Sequence, residues 1–444
     1  MVAFAEDAAW SPKDVSFELS GSLRQLGLYT RSTDREQFED DIEDDLADGN
    51  LRCVLADEFS DCPAFDRVGE KEIGQGLTRL RVQLDVDVHE GVSAVVIYDN
   101  EASYGVFDTF EGQLGDNLGT DSFLGAEATL ESGEHYTWRH ELYRGYLKFE
   151  NERFEVSIGR QRVAWGVGRL WTPIDRFSAV PPLSLQPDVT SGIDGIDARF
   201  NIDGFSYLQV VYAPGGSKRE ARYAGRLHGV LWDADLSLMG GVFEKAPTVG
   251  ADFARNLGDA AVRFEVVYTD PKHKVFEIGS AKPKAPDDFW QVVASFDINL
   301  EIGTGVYVLS EYLYNGNALG FGKGKAGVLL PLFEATNEAP APGLGDGPFV
   351  TGASGDAFGS SRVITLATHQ LGFQLGYDLT PELRGDFVTI VDMNRGSATF
   401  FPNLAYSPLD ALEISLGVQL FTGPRRSQYG ASEPLVFLLT DWFF

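Results

Sequence analysis

Charged side chains recur at every second position in several segments of the chain, a spacing that puts them on one face of a β-strand. On the inside of a water-filled barrel, facing rows of acids and bases would orient polar solutes. The alternative is that they form ion pairs between neighbouring strands. The residues predicted to line a lumen in this way are Arg79, Arg81, Asp85, Asp87, Arg144, Lys148, Glu155, Asp197, Arg199, Arg222, Arg226, Arg263, Glu265, Asp297, Arg384, Asp386 and Glu413. Of these, Arg144, Lys148, Arg222 and Arg226 are predicted to contact anions.

Two further groups could bind or cross-link. Cys53 and Cys62 stand close together among polar residues, and in an exported protein such a pair predicts a disulfide. The alternative is two free thiols in a cytosolic protein. The same region is strongly acidic between Glu36 and Asp61, which favours a solvated surface, with a Ca²⁺ site as the alternative.

Catalytic chemistry finds little support. None of the six histidines has a metal-ligand spacing or adjoins a serine nucleophile motif. His140 and His228 are therefore interpreted as structural, and we predict no enzyme, no catalytic residue and no metal or other cofactor, the calcium alternative apart. The net charge of −30 argues against a nucleic-acid partner.

Alternation of apolar and polar residues dominates the chain and predicts an all-β protein. Leu80, Val82, Leu84 and Val86 alternate with polar residues, and Leu412 to Leu420 does the same. Candidate strands start near Val15, Leu77, Val92, Arg139, Arg153, Gly192, Phe205, Ala221, Asp235, Gly258, Lys274, Asp288, Thr304, Val363, Glu382, Ser397, Ala411 and Glu433. They number about 18, with about 16 as the alternative, and the segment Val275 to Ile278 is the weakest of them.

Short connections alternate with long ones along these strands. Short ones include His89-Glu90-Gly91 and Thr380-Pro381, whereas long ones lie near residues 31–75, 109–136, 163–191 and 316–362. Tight turns on one rim and long loops on the other are typical of a transmembrane antiparallel β-barrel. We therefore predict one barrel over residues 14–444. Residues 1–13 would be an export-signal remnant with a periplasmic segment, because Ala3-Phe4-Ala5 has the form of a signal-peptidase site, although chance explains it equally well.

The last residues point to a membrane. Trp442 and Phe444 share one face of a final strand, and soluble proteins rarely end on exposed aromatic residues. The segment Thr440-Asp441-Trp442-Phe443-Phe444 resembles the assembly signal of bacterial outer-membrane proteins. This resemblance implies an outer-membrane location, recognition by the barrel-assembly machinery, and contact with lipid and lipopolysaccharide. Girdle aromatics are expected at Tyr29, Tyr98, Tyr146, Tyr212, Trp290, Tyr377 and Trp442.

A second resemblance lies in the middle of the chain. Gly159-Arg160-Gln161 and Trp165-Gly166 resemble a hairpin of the alginate-export-like and related porin-like barrels, in which arginines often line the pore. Simple alternation from Phe154, however, puts Arg160 and Arg162 on the lipid side, unless a bulge turns them inward or they lie above the apolar band. The loop at 163–191 is rich in proline and aromatic residues and would either narrow the lumen or pack outside it.

These features predict an outer-membrane channel for passive diffusion of small polar or charged solutes through a loop-constricted lumen. The alternative is a barrel that sheathes a partner, such as an electron-carrying cytochrome or an exported polysaccharide, and a barrel enzyme is a weaker one. A second copy of the chain or a periplasmic protein is a further candidate partner.

Overall fold

The computed structural model describes residues 15–33, 70–105, 123–271, 288–318 and 365–444, except residues 134, 179, 181, 187, 191, 216–220, 244, 366, 425–426, 431 and 433. Its strands form one antiparallel sheet that closes on itself, because the first strand pairs with both the second and the last. Within the described residues, no helix is both long and apolar enough to cross a bilayer.

The sheet contains nineteen strands, eighteen of which make up the wall of the barrel. They are β1 (Ser16–Thr33), β2 (Glu70–His89), β3 (Val92–Gly105), β4 (Glu127–Gly133), β5 (Tyr136–Glu150), β6 (Phe154–Gln161), β7 (Ile193–Asn201), β8 (Tyr207–Ala213), β9 (Arg222–Leu231), β10 (Ala234–Phe243), β11 (Ala246–Leu257), β12 (Ala260–Thr269), β13 (Phe289–Leu300), β14 (Val306–Asn315), β15 (His369–Thr380), β16 (Leu383–Asp392), β17 (Ser397–Leu409), β18 (Leu412–Thr422) and β19 (Leu435–Phe443).

The short strand β4 is the addition to the wall. β3 pairs along the length of β5, from Val92↔Phe149 to Tyr104↔Tyr136. β4 and β6 therefore share the other edge of β5. β4 lies beside residues 136–141 of β5, and β6 lies beside residues 145–150. The predicted loop at 109–136 thus contains a strand that the sequence did not reveal.

Alternation along each strand separates an apolar outside from a polar inside. On β2, Leu80 is 42% exposed whereas Arg79 beside it is 4% exposed. On β12, outward Phe264 is exposed and inward Glu265 is fully buried. Since the exposed side chains of the barrel exterior are mostly large and apolar, this surface suits hydrocarbon rather than water. The predicted transmembrane antiparallel barrel is therefore confirmed as a fold.

The two rims differ as predicted. Turns near Glu90-Gly91, Asn151, Asp203-Gly204 and Pro381 lie on one rim, which we call the short-turn rim. The strand ends that the longer connections join, including the end of β6 and the start of β7, lie on the opposite, long-loop rim, together with two short turns after β10 and β16.

The strand number was predicted correctly, but one strand was wrongly placed. The sequence analysis counted a strand near Lys274 and missed β11, whose alternation is broken by small residues such as Gly250 and Ala254. In the structure β12 pairs directly with β13, and residues 272–287 between them lie outside the described residues. Because one strand too many was counted and one was missed, the predicted number of wall strands was still correct.

Several other predictions fall outside the described residues. They include the export-signal segment at 1–13, Cys53 and Cys62, the acidic region from Glu36 to Asp61, and most of the loop at 316–362. Among the predicted girdle aromatics, the prediction for Tyr146 was wrong. Tyr146 is on the inward side of β5, where it alternates with exposed Leu147 and Phe149.

Candidate functional site: the loop-lined lumen

The predicted pore-lining residues lie on the inward faces of their strands. They alternate with outward apolar side chains, as Arg263 and Glu265 do with Val262, Phe264 and Val266. Inward positions include Arg79, Arg81, Asp85, Arg144, Lys148, Arg199, Arg222, Arg226, Arg263, Glu265, Arg384 and Asp386. These charges therefore share the inner face of the wall, and their contacts decide what each one does there.

Most of these wall charges form ion pairs with residues of the same strand or of strands one or two positions away. Arg81 on β2 binds Asp99 on β3 at 2.6 Å. Arg79, also on β2, pairs with Glu101, also on β3. Arg226 on β9 lies 3.1 Å from Asp252 on β11. Further pairs join Arg263 to Asp297 and Arg384 to Asp378 and Asp386. Neutralised in this way, these residues mainly satisfy a polar interior.

The four residues predicted to contact anions do not form one group. Arg144 and Lys148 are on β5, whereas Arg222 and Arg226 are on β9, with three wall strands between them. Lys148 pairs with Glu150 at 2.6 Å and with Glu155 at 3.4 Å. The guanidinium of Arg144 donates to the backbone oxygens of Tyr143 and Thr190. The structure thus gives them separate, local tasks.

The segment between β6 and β7, residues 162–192, folds into the barrel, and we call it the inner loop. Its first half binds two glutamates of the wall through backbone N–H groups. Glu265 on β12 accepts hydrogen bonds from Val167, Gly168 and Ile174 at 2.5, 2.7 and 3.1 Å. Glu311 on β14 accepts from Arg169, Leu170 and Trp171 at 2.8, 2.9 and 2.7 Å. Both carboxylates are fully buried, so these bonds replace the water they have lost.

Apolar side chains of the inner loop dock at three places on the wall. Trp165, Ile174 and Phe177 pack with Val211, Met239, Phe243 and Val267, which lie on β8, β10 and β12. Leu170 and Trp171 pack with residues of β13, β14 and β16, namely Val293, Leu309, Leu313 and Ile390. Leu185 packs with residues of β1, β2 and β19, namely Leu26, Leu28, Leu77, Leu435, Phe437 and Leu439. The loop therefore touches the wall on several sides of the lumen.

The second half of the loop is held by polar contacts. Arg24 on β1 donates to Gln186 at 3.2 Å and to Asp188 at 3.0 Å, and Arg79 donates to Gln186 at 2.8 Å. Gln419 on β18 donates to the carbonyl oxygen of Leu183 at 3.0 Å. Asp188 has a lowered pKa: burial works to raise it, but the hydrogen bond and charge of Arg24 outweigh that effect.

A β-bulge in β5 shapes the last contacts of the loop. Pairing with β3 shifts between Ile97↔Arg144 and Tyr98↔Leu142, so Tyr143 is an extra residue. Tyr143 and Arg144 are consequently both buried. The Tyr143 ring lies between the guanidinium groups of Arg81 and Arg144, at 3.8 and 4.0 Å, and its hydroxyl accepts from Thr190 N at 2.9 Å.

Arg160 corrects an expectation from simple alternation. Its side chain is 1% exposed and donates to Glu141 at 2.5 Å, so it does not face lipid. The preceding residue, Gly159, has φ +130°, which L side chains rarely adopt, and this conformation interrupts the alternation. Arg162 begins the inner loop and is exposed, so alternation along β6 does not govern it either.

Two arginines of the inner loop, Arg162 and Arg169, are exposed. Among the described residues, no carboxylate forms an ion pair with the guanidinium of Arg162 or of Arg169. Arg169 lies close enough to Arg263 for their charges to repel. Sequence reasoning missed Arg169, because it follows two glycines in a stretch without strand alternation, and the only available signal was a basic residue in a loop predicted to enter the lumen.

Asp175 is the buried acid of the inner loop. Its Oδ1 accepts hydrogen bonds from the N–H groups of Phe177 at 3.0 Å and Ser178 at 2.8 Å. Burial raises the pKa of this carboxyl to about 6, although those N–H groups and the charges of Arg162 and Arg222 oppose the shift. The docked position of the loop therefore favours the protonated form of Asp175.

The two histidines interpreted as structural make local contacts. His140 faces outward and lies 2.5 Å from the hydroxyl of Tyr98. His228 stacks on Tyr207 inside the barrel and lies 3.1 Å from Ser237 Oγ. That hydroxyl is buried and accepts a hydrogen bond from Arg226 at 2.8 Å, an arrangement that packs the serine into the wall.

Comparison with solved structures supports the fold. The chain is similar to the crystal structure of OccAB1 from Acinetobacter baumannii, with a TM-score of 0.53, 9% identity, and 99% of this chain and 98% of that chain covered. It is also similar to OccK5 (OpdH) from Pseudomonas aeruginosa, with a TM-score of 0.50, 7% identity, and 97% and 98% covered. No family model matches the sequence. No curated protein matches it either. At these identities the likeness is one of fold, and the chain has the fold of a porin-like β-barrel.

Proposed function

We propose that the protein is a channel of the bacterial outer membrane through which small polar or charged solutes diffuse passively. The observation that carries this proposal is the inner loop, which docks on several sides of the inner wall and so occupies part of a charged lumen. A narrowed, polar passage selects solutes by size and charge, and needs no energy source.

The two faces of the wall support a location in a bilayer. The exterior carries exposed apolar side chains, whereas the interior carries paired charges. A closed barrel satisfies every ladder hydrogen bond internally, which a lipid environment requires. Lipid and lipopolysaccharide are accordingly the proposed surroundings, and recognition of Trp442 and Phe444 by the assembly machinery is part of the same proposal.

The docked loop favours a solute channel over a sheath for a partner. A cytochrome or a polysaccharide chain inside the barrel would have to contact the wall that the inner loop already covers, including Glu265 and Glu311. Displacing the loop would leave these two buried carboxylates without their backbone donors, at a cost of several kcal/mol.

The exposed arginines of the loop give the channel a preference for anions. Arg162 and Arg169 are cations without ion-pair partners among the described residues, whereas the wall arginines Arg81 and Arg226 are paired. Unpaired charge at a constriction acts on permeating ions more strongly than neutralised pairs do.

Planar-bilayer recording tests the function. Purified full-length protein should insert and give discrete conductance steps without any partner, with a reversal potential that favours chloride in a potassium chloride gradient. Heat-unfolded protein is the control. Folded protein that inserts into liposomes, as judged by protease protection, but conducts no ions would contradict the channel and favour a sealed sheath.

A further inference from the structure

The outer surface of the barrel carries polar side chains at one place where lipid would be expected. On β1, Gln25 lies between outward Leu23 and Tyr29, and on β3, Asn100 lies between outward Tyr98 and Tyr104. Their neighbours on adjacent strands are also polar and outward. The set, which we call the outer polar patch, consists of Gln25, Thr78, Asn100, His140 and Thr440.

Registers of the strands make the patch continuous. Gln25 is paired with Thr440 on β19 and with Thr78 on β2. Asn100 is paired with His140 on β5, and Thr78 is paired with Ala102, two residues from Asn100. The patch therefore crosses five neighbouring strands, including the seam at which the barrel closes.

At the seam of the barrel, Gln25 with its partner Thr440 lies inside the apolar band rather than at its edge. Leu23 is paired with Trp442, an exposed aromatic residue near the short-turn rim, and Gln25 is two residues farther along β1. Two residues of a tilted strand advance by about 5 Å along the membrane normal, within a band about 25 Å tall. Tyr29 and Tyr104 are exposed on the long-loop side of it.

Other parts of the described exterior differ. On β12 and β13 the outward side chains between the rims are Val262, Phe264, Val266, Val292, Ala294 and Phe296. Away from the rims, outward polar side chains elsewhere on the described strands are Arg255, Ser310 and Thr389, and Thr389 donates to the carbonyl oxygen of Thr399. Amide side chains on the outer face are thus a property of the patch.

The patch is ordered by bonds to its own aromatic neighbours. Gln25 Nε2 donates to the hydroxyl of Tyr104, and Thr78 donates to Gln25 Oε1 at 2.6 Å. Trp138 Nε1 donates to Asn100 Oδ1 at 2.8 Å. Each primary amide has two N–H donors and two acceptor lone pairs, so hydrogen-bonding capacity remains at Gln25 and Asn100. Lipid tails cannot use that capacity, whereas another protein can.

We propose that the outer polar patch is the surface through which two copies of this chain associate in the membrane. The chemistry of the patch favours a second copy over a charged partner. Its amide and hydroxyl groups are neutral and are both donors and acceptors, so the patch complements itself across a two-fold axis.

Cross-linking tests the interface. Thr78→Cys, in the full chain carrying Cys53→Ser and Cys62→Ser, is reconstituted in liposomes and treated with a short bis-maleimide. Val266→Cys on β12, an outward residue of the apolar band, is the matched control. The proposal expects covalent dimers from Thr78→Cys and little from Val266→Cys. Equal yields from the two, or none from Thr78→Cys, would overturn it.

A second measurement avoids the cysteine background. The mass of the wild-type chain in lipid nanodiscs should correspond to two or more copies, and Gln25→Leu with Asn100→Leu should raise the dissociation constant about tenfold. Heat-modified gel mobility checks that this variant still forms the barrel. A monomeric wild-type protein at all lipid ratios rejects the interface, yet leaves the channel proposal intact, because conductance needs one barrel.

Discussion

Glu265 on β12 and Glu311 on β14 hold the inner loop by the same chemistry, each accepting hydrogen bonds from three backbone N–H groups of the segment from Val167 to Ile174. The glutamates belong to the wall and the donors to the loop backbone. The position of the loop is therefore set by two inward wall residues, and side chains of the loop remain available for other contacts.

Substitution of these glutamates should loosen the loop. Glu265→Gln with Glu311→Gln turns amide N–H₂ groups toward backbone donors, and each buried donor left without an acceptor costs about 1–3 kcal/mol. Hydrogen exchange at residues 167–174 should accelerate by about tenfold or more, and single-channel current should become larger and noisier.

Glu413→Gln is the matched control for that experiment. Glu413 is an exposed inward acid of β18 near the short-turn rim. The Glu413→Gln substitution should leave the hydrogen exchange of residues 167–174 and the conductance unchanged. Equal effects from Glu413→Gln, or unchanged exchange in the double variant, would show that the two buried glutamates do not hold the loop.

Charge reversal on the loop should change ion selectivity. Arg169→Glu places an anion where an unpaired cation was exposed, and one charge acts with about 1 kcal/mol at 4 Å in water. The chloride-to-potassium permeability ratio should fall about fivefold, and Arg162→Glu should act in the same direction. Reversal potentials in a salt gradient measure the ratio. Arg153→Glu, in an exposed turn of the short-turn rim, should change it far less.

Docking of the loop should weaken as pH rises from about 4 to about 6. Asp175 has a pKa of about 6 in the docked loop, against 3.8 when hydrated, so the docked loop prefers the protonated acid. Docking is then strongest below about pH 3.8, declines between that pH and about pH 6, and is constant above about pH 6. The total loss is about 3 kcal/mol, or about two orders of magnitude in the open population.

Asp175→Asn should remove the part of that pH dependence that Asp175 causes, because an amide oxygen still accepts from Phe177 and Ser178 but does not titrate in this range. Exchange of the Phe177 and Ser178 amides, corrected for intrinsic pH effects, measures opening at pH 4.5 and 7.5. A wild-type loop that opens equally at both pH values would contradict the role of Asp175.

The seam of the barrel should depend on Arg24. Its guanidinium binds Asp441 on β19 at 2.7 and 2.9 Å, and both groups are buried. Arg24→Met leaves Asp441 as a buried, unpaired charge, which costs about 3–5 kcal/mol. Urea unfolding in detergent measures the loss. Arg24→Met with Asp441→Leu should recover most of it, and a double variant as unstable as the single one would show that the pair itself is not what matters.

Alternation carried most of the fold prediction. Along Leu80 to Val86 of β2 and Leu412 to Leu420 of β18, every outward position is apolar, so the inside and outside of the wall were readable from the residues alone. It failed at β11, where small residues dilute the pattern, and at Arg160, where Gly159 at φ +130° reverses the expected side. Both failures are local backbone or packing effects that a period of two does not encode.

The sequence by itself determined that this chain is a barrel with a charged inside, because lipid and water sort side chains residue by residue along each strand. Only the tertiary structure decided which charges are neutralised, that Glu265 and Glu311 bind the loop backbone, and that Gln25 and Asn100 lie in one outward patch. The physical reason is distance along the chain. These partners are separated by dozens to hundreds of residues, and barrel closure with its strand register brings them together.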